Sequence, residues 1–203
     1  LALQNRVTPF GQIVALAGRG AIMGNRGVLH DERRNLVRQW QVRRWISCRL
    51  HWRGRKRIIM APRRYTELFF LDEAASFAAG HRPCAECRNA DYKRFQAIWE
   101  ACFGARAGAD AMDAVLHAER LDGRTKRTFQ VGIGTLPDGV YIAGDDGVAR
   151  LLWGDALIEW GDAGYGRRIA RPRSGNAEVL TPPSIVEIIR AGFVPAVHPT
   201  AEL

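Results

Sequence analysis

Cys84 and Cys87 are separated by two residues in the run Ala78-Ala79-Gly80-His81-Arg82-Pro83-Cys84-Ala85-Glu86-Cys87-Arg88. Two thiolates at this spacing, on a turn feeding a helix N-terminus, can grip one Zn²⁺, with the helix dipole and Arg88 favouring their deprotonation. The other use of the spacing, a redox pair, calls for a preceding strand and an aromatic flank; here a helix and Gly80 precede it. A second group of residues suits nucleic acid. Arg33 to Arg64 holds 12 basic and no acidic residues, with Trp40, Trp45 and Trp52 interleaved. Cations displace counterions from phosphates and indoles stack on bases, so Arg43, Arg44, Arg49, Arg53, Arg55, Lys56 and Arg57, with Trp45 and Trp52, are candidate contacts. A neutral solvated surface would intersperse both signs. A third group, Asp113, His117 and Arg120, falls with Asp110 close to one face of a helix. It would join a general base, oriented by a carboxylate, to a guanidinium able to hold a phosphate, as phosphodiester hydrolysis requires. A surface ion-pair stripe is the competing reading, and His30-Asp31-Glu32 is a comparable second candidate.

These residues must be positioned by a chain of 203 residues, 47% hydrophobic and 25% charged, with net charge +9. That composition excludes disorder and fibrous structure and leaves room for one domain with an appendage or two small ones. The charge is uneven: 19 Lys+Arg against 8 Asp+Glu in the first 100 residues, 11 against 13 afterwards. Four cysteines, two of them as Cys-x-x-Cys, fit a reducing compartment, so the cytoplasm is expected; no apolar run approaches a membrane span. Three stretches are expected. Residues 1–29 are rich in glycine and irregular, without the spacing of a nucleotide loop. Residues 30–108 carry a β-hairpin formed by Val42–Trp52 and a return strand at Ile58–Met60. A strand at Thr66–Phe70, a short helix capped by Asp72 and ended by Gly80, the cysteines, and a second helix from Asp91 to Gly104 follow. Cys102 falls with Phe95, Ile98 and Trp99 on the apolar face of that helix and reads as core. Residues 109–203 hold a helix from Asp110 to Arg120, then short strands broken at Pro137-Asp138-Gly139, Asp146-Gly147 and Gly161-Asp162. A last helix opens with a capping box, Ser184 to Glu187.

The run from Thr66 to Arg88, TELFFLDEAASFAAGHRPCAECR, resembles the second half of the metal-binding, DNA-phosphotriester-repair domain of the bacterial Ada protein. The shared pattern is a strand, a short alanine-rich helix, Ala-Ala-Gly, an aromatic position (His81 here), then Arg-Pro-Cys-x-x-Cys. The resemblance implies an α+β, Ada-like zinc module followed by a β-rich part. In that family a four-thiolate zinc site is completed by two further cysteines upstream, one of which accepts a methyl group from DNA phosphate, and this chain departs from that pattern. Cys48 is the one upstream cysteine, so the expected ligands are Cys48, Cys84 and Cys87, with His51, nearest in sequence, as the fourth. Residues three apart on a regular strand face opposite sides, so His51 joins Cys48 only if the chain bends; His30, His81 and His117 are alternatives. The family's larger members carry a second Pro-Cys-His-Arg acceptor motif, which is missing here.

The expected protein is therefore a zinc-containing DNA-binding protein of DNA processing or repair. As a nuclease it would use His117, Asp113 and Arg120, with a second divalent metal. Its rivals are a non-catalytic DNA-binding regulator or adaptor, with a protein partner on the C-terminal half, and a methyl acceptor acting through Cys48.

Overall fold

The alternation of apolar residues becomes two six-stranded sheets and four α-helices in the computed structural model, which describes residues 2–104 and 106–202. The first sheet contains β1 (Gln4–Val7), β2 (Ile13–Ala15), β3 (Ile22–Asn25), β4 (Ile46–Cys48), β5 (Leu68–Phe70) and, beyond helix α1 (Glu73–Ala78), β6 (Arg82–Pro83). Its order is β2-β1-β5-β3-β4-β6, with β1·β5 and β4·β6 parallel and the other pairs antiparallel. The stretch expected to be irregular, up to Leu29, instead supplies three of the strands. Their glycines serve packing, since a Cβ on Gly24 would stand 2.3 Å from the Ile46 carbonyl oxygen.

The expected hairpin of Val42–Trp52 with Ile58–Met60 does not form. Strand β4 is only three residues long and has β3 on one edge and β6 on the other, so no edge is left for a return strand. Residues 49–67 instead form an irregular loop, in which Arg53, Gly54, Met60 and Arg63 take positive φ. Met60 anchors it, fully buried, with its N–H donating to Glu67 Oε2 at 2.8 Å.

Helix α1 is wholly buried and capped as the sequence indicates: Asp72 Oδ1 accepts from Ala75 N at 2.8 Å, and Gly80 continues past its end at φ +85°. Asp72 Oδ2 also accepts from Tyr165 Oη (2.6 Å) and the His198 N–H (2.9 Å). The next helix, α2 (Asn89–Phe103), starts two residues before Asp91, which lies in its first turn, and ends at Gly104 with φ +71°. Phe95 and Trp99 are buried on its inner face, but Cys102 is exposed, because the last turn extends past the core.

Helix α3 (Ala109–Arg120) leads through a small hairpin, β7 (Leu121–Asp122) and β8 (Thr125–Lys126), into the second sheet. This comprises β9 (Phe129–Gly132), β10 (Tyr141–Ala143), β11 (Ala149–Trp153), β12 (Ala156–Trp160), β13 (Tyr165–Ala170) and β14 (Asn176–Val179). It is antiparallel throughout, in the order β13-β12-β11-β10-β14-β9. Successive side chains point to opposite faces. Leu152 and Leu157 accordingly join Phe95, Met112, Leu116, Ile185 and Phe193, while Leu151 and Ile158 join Ala74, Ala75 and Ala78 of α1. The last helix, α4 (Pro183–Arg190), opens at Pro183 without the expected capping box. Glu119 of α3 takes the Ser184 N–H and hydroxyl instead, at 3.0 and 2.6 Å, and Glu187 pairs with Arg190. No helix among the described residues is long and apolar enough to cross a membrane.

Candidate metal centre and basic face

Parallel pairing of β4 with β6 sets Ile46 beside Arg82 and Ser47 beside Pro83. One residue further, Cys48 and Cys84 must lie side by side, and the Cys84 N–H donates to the Ser47 carbonyl at 2.9 Å to hold them there. The chain then turns, Arg88 N donating to the Cys84 carbonyl at 3.1 Å, and brings Cys87 to the same point. The three sulfurs lie within 4.8 Å of one another, all in buried residues, and can hold a metal ion. Met23, with the partly buried Ile46, Leu50, Trp52 and Phe69, forms the apolar surround. The donor set suits a soft or borderline metal: thiolates about 2.3 Å from a tetrahedral ion stand about 3.8 Å apart, within the spread seen.

The thiols share protons unequally. Cys84 is lowered to about 5, first by the hydrogen bond it accepts from Cys48 and then, against its burial, by the N–H groups of Cys87 and Glu86. Cys87 is lowered for the same first reason, aided by the Arg49 N–H, whose nitrogen lies 3.4 Å from its sulfur. Cys48, donating to both, is raised. Arg88 plays no part in activating the pair: Glu73, Asp91 and the Ser47 hydroxyl take up its guanidinium.

His51 is a correction to the expected ligand set. It lies on the loop after β4, exposed, and is not among the clustered ligands. The other histidines are occupied elsewhere. His30 is buried between the Thr66 hydroxyl (2.6 Å) and the Ala61 carbonyl (3.2 Å), His81 is fully buried against Arg26, and His117 packs on Trp40. Nor do His30, Asp31 and Glu32 make a site, since Asp31 caps a turn through Arg33 and Asn35 and Glu32 pairs with Arg63.

Of the candidate nucleic-acid contacts, Arg43, Arg44, Arg49, Arg53, Arg55 and Lys56 are exposed and Arg57 is partly so. Arg55 reaches back to Glu86 in the knuckle at 3.1 Å, and Arg53 lies over the partly buried Trp52 ring at 5.0 Å. Trp45 is different. It is 2% exposed, with the guanidiniums of Arg26 and Arg120 at 3.9 and 4.0 Å from its ring centre, so it has no free face for a base.

The catalytic trio is not assembled either. Asp113 is buried in a two-pronged ion pair with Arg82, Nε to Oδ1 at 2.9 Å and Nη2 to Oδ2 at 2.7 Å, and does not orient His117. Arg120 turns inward, donating to the carbonyls of Gly80 and Arg43, with His117 Nδ1 at 3.0 Å. Burial first, then Arg120 and Arg43, lower His117. No second cluster of metal-ligating side chains occurs among the described residues.

Two further charged residues that the sequence does not assign to a site lie close to Arg120. Arg26 is 1% exposed, and the partly buried Lys126 aims its ammonium at the Ala78 carbonyl, 2.7 Å away. Nothing in their sequence neighbourhoods marks them as inward-facing. Comparisons with known protein families, characterised proteins and solved structures gave no match.

Proposed function

We propose that this chain is a zinc-holding nucleic-acid-binding protein of DNA processing or repair, in which Cys48, Cys84 and Cys87 hold the ion. The observation that carries the reading is the continuity of the two features. The cationic loop leaves the thiol centre directly after Cys48, its first N–H donates to Cys87, and Arg55 ties it back to Glu86. Fixing the three thiols would therefore fix the start of a loop whose Arg49, Arg53, Arg55 and Lys56 are exposed. The resemblance of Thr66–Arg88 to the Ada metal-binding domain supports the same reading, as does the order strand, short helix, knuckle. When bound, zinc would supply cross-linking of β4 to the knuckle, and the cations would supply phosphate contacts.

Titration of duplex DNA across salt concentrations tests this. The purified protein should contain one zinc. The slope of log K against log salt should flatten by about 2.7 when Arg53, Arg55 and Lys56 are changed together to Gln, since each phosphate no longer neutralised removes about 0.9. Cys84→Ser with Cys87→Ser should release the metal and weaken DNA binding. An unchanged slope in the triple variant would overturn the assignment.

A second reading rests on the ligand count. No fourth His, Cys, Asp or Glu joins the three thiols among the described residues, and three protein ligands with an open position are typical of reaction centres. On this reading the protein is an enzyme acting at the metal. The cobalt-substituted protein should then change its visible spectrum when a small thiol is added; a spectrum indifferent to added ligands excludes it.

A further inference from the structure

The thiol centre leaves unexplained a group of cations beside Trp45, two of them buried and the third, Lys126, partly buried. Arg26 and Arg120 are each 1% exposed, and neither pairs with a carboxylate among the described residues. Arg26 donates to Gly11 O (2.9 Å) and His81 Nε2 (3.3 Å), and Arg120 to two carbonyls and His117. Arg26 Nη2 and Arg120 Nε are buried with no hydrogen-bond partner among the described residues. Lys126 stands close enough that both arginines depress it, after burial, to about 7. The carboxylate whose field reaches Arg120 is Asp113, which is already held by Arg82.

Buried charge is costly unless it is paired, and the two fully buried guanidiniums have no carboxylate partner among the described residues. The three cations line one cavity of about 380 Å³, with Arg124 also on its wall and Trp40 and Gln39 beside them. None of the residues lining this cavity is acidic. Planar guanidiniums with free N–H groups, beside an ammonium, match a tetrahedral oxyanion.

We propose that this cavity binds a phosphate monoester dianion, held by Arg26, Arg120 and Lys126 with Arg124 as a further contact. The site is separate from the thiol centre and does not depend on that centre's function. Its ligand is defined by the phosphoryl group, which a free nucleotide or a phosphorylated nucleic-acid end would carry.

Thermal unfolding and tryptophan fluorescence of the wild-type protein, titrated with inorganic phosphate against chloride at matched ionic strength, test it. Phosphate at a hundredfold excess over its Kd should raise Tm by about 5–10 °C and change the emission. Lys126→Met should weaken phosphate binding about 10- to 100-fold. Should that variant fail to fold, Arg124→Gln, at an exposed position, should weaken it several-fold. A nucleoside 5′-monophosphate compared with its nucleoside, and a 5′-phosphorylated oligonucleotide with its dephosphorylated form, identify the source of the group. Response to phosphate no greater than to chloride overturns the proposal, as does wild-type phosphate affinity in both variants. Retention of salt-dependent duplex binding by Lys126→Met would separate this site from the basic loop.

Discussion

Replacing Asp113 with Asn removes one charge and almost no volume, and the structure makes its cost large. The carboxylate makes two hydrogen bonds to Arg82, and the two side chains are 3% and 1% exposed. Burial pushes Asp113 up against the pull of Arg82. Without it, Arg82 is left buried and unpaired close to Arg120, which is in turn close to Arg26, all three about 1% exposed. Leaving one member of a buried pair alone costs about 3–5 kcal/mol. At about 2–4 °C per kcal/mol for a chain of this size, Tm should fall by about 6–20 °C. Differential scanning calorimetry of Asp113→Asn beside the double variant Arg82→Met/Asp113→Leu measures this. The double variant should recover most of the loss, because an apolar pair of similar volume replaces the ion pair. A Tm within about 2 °C of wild type for Asp113→Asn would refute the buried-charge reasoning and reopen a catalytic role for the residue.

Three further outcomes are expected. His81 is fully buried, and burial, followed by Arg26 and Arg120, holds it well below 6.5, so it is neutral when folded and gains a proton when unfolded below that pH. Stability should therefore fall on acidification from about pH 6.5 downward, approaching about 1.4 kcal/mol per pH unit from this group; denaturant midpoints of wild type and His81→Phe compared between pH 7 and 5 check it. Gly80→Ala should destabilise strongly, since φ is +85° and the new Cβ would stand 2.6 Å from Arg120 Cδ, and urea unfolding measures the loss. With a thiol reagent, exposed Cys102 should react at once and the other three cysteines only after a chelator strips the metal; four equally fast thiols in the metal-loaded protein would contradict the three-thiol site.

The segment from Thr66 to Gly104 was legible because its signals are local. The side chain of Asp72 caps the helix that follows it, and Gly80 and Gly104 stop helices by conformations that few other residues adopt. The thiol centre was legible as a pair, Cys48 was expected beside it only from a resemblance, and what brings it there in the structure is the parallel register of β4 and β6. The hairpin failed because alternation in Val42–Trp52 says nothing about edges, and both edges of β4 go to β3 and β6. Helical spacing does place Asp113, His117 and Arg120 on one helix, α3. What each side chain does there is decided by residues 31 and 77 positions away, Arg82 for Asp113 and the Arg43 carbonyl for Arg120. Trp45 looks in sequence like the other tryptophans of the basic run; only the packing of Arg26 and Arg120 against it separates a core indole from a stacking one.

Helix α1 has a consequence for how the protein comes off the ribosome. Its N-terminus is tied by Asp72 Oδ2 to the His198 N–H and by Glu73 Oε2 to the Ala196 N–H, residues made 126 and 123 positions later. The knuckle follows that helix directly, yet the helix is not secured until 196–198 arrive. During synthesis the residues around the thiols, Met23, Ile46, Leu50, Trp52 and Phe69, are made before Cys84 and Cys87, whereas the helix that precedes the knuckle gains its last hydrogen bonds only with the C-terminal segment. Completion of that helix is then a late event, and a nascent chain stalled before Ala196 would lack the contacts that fix its N-terminus.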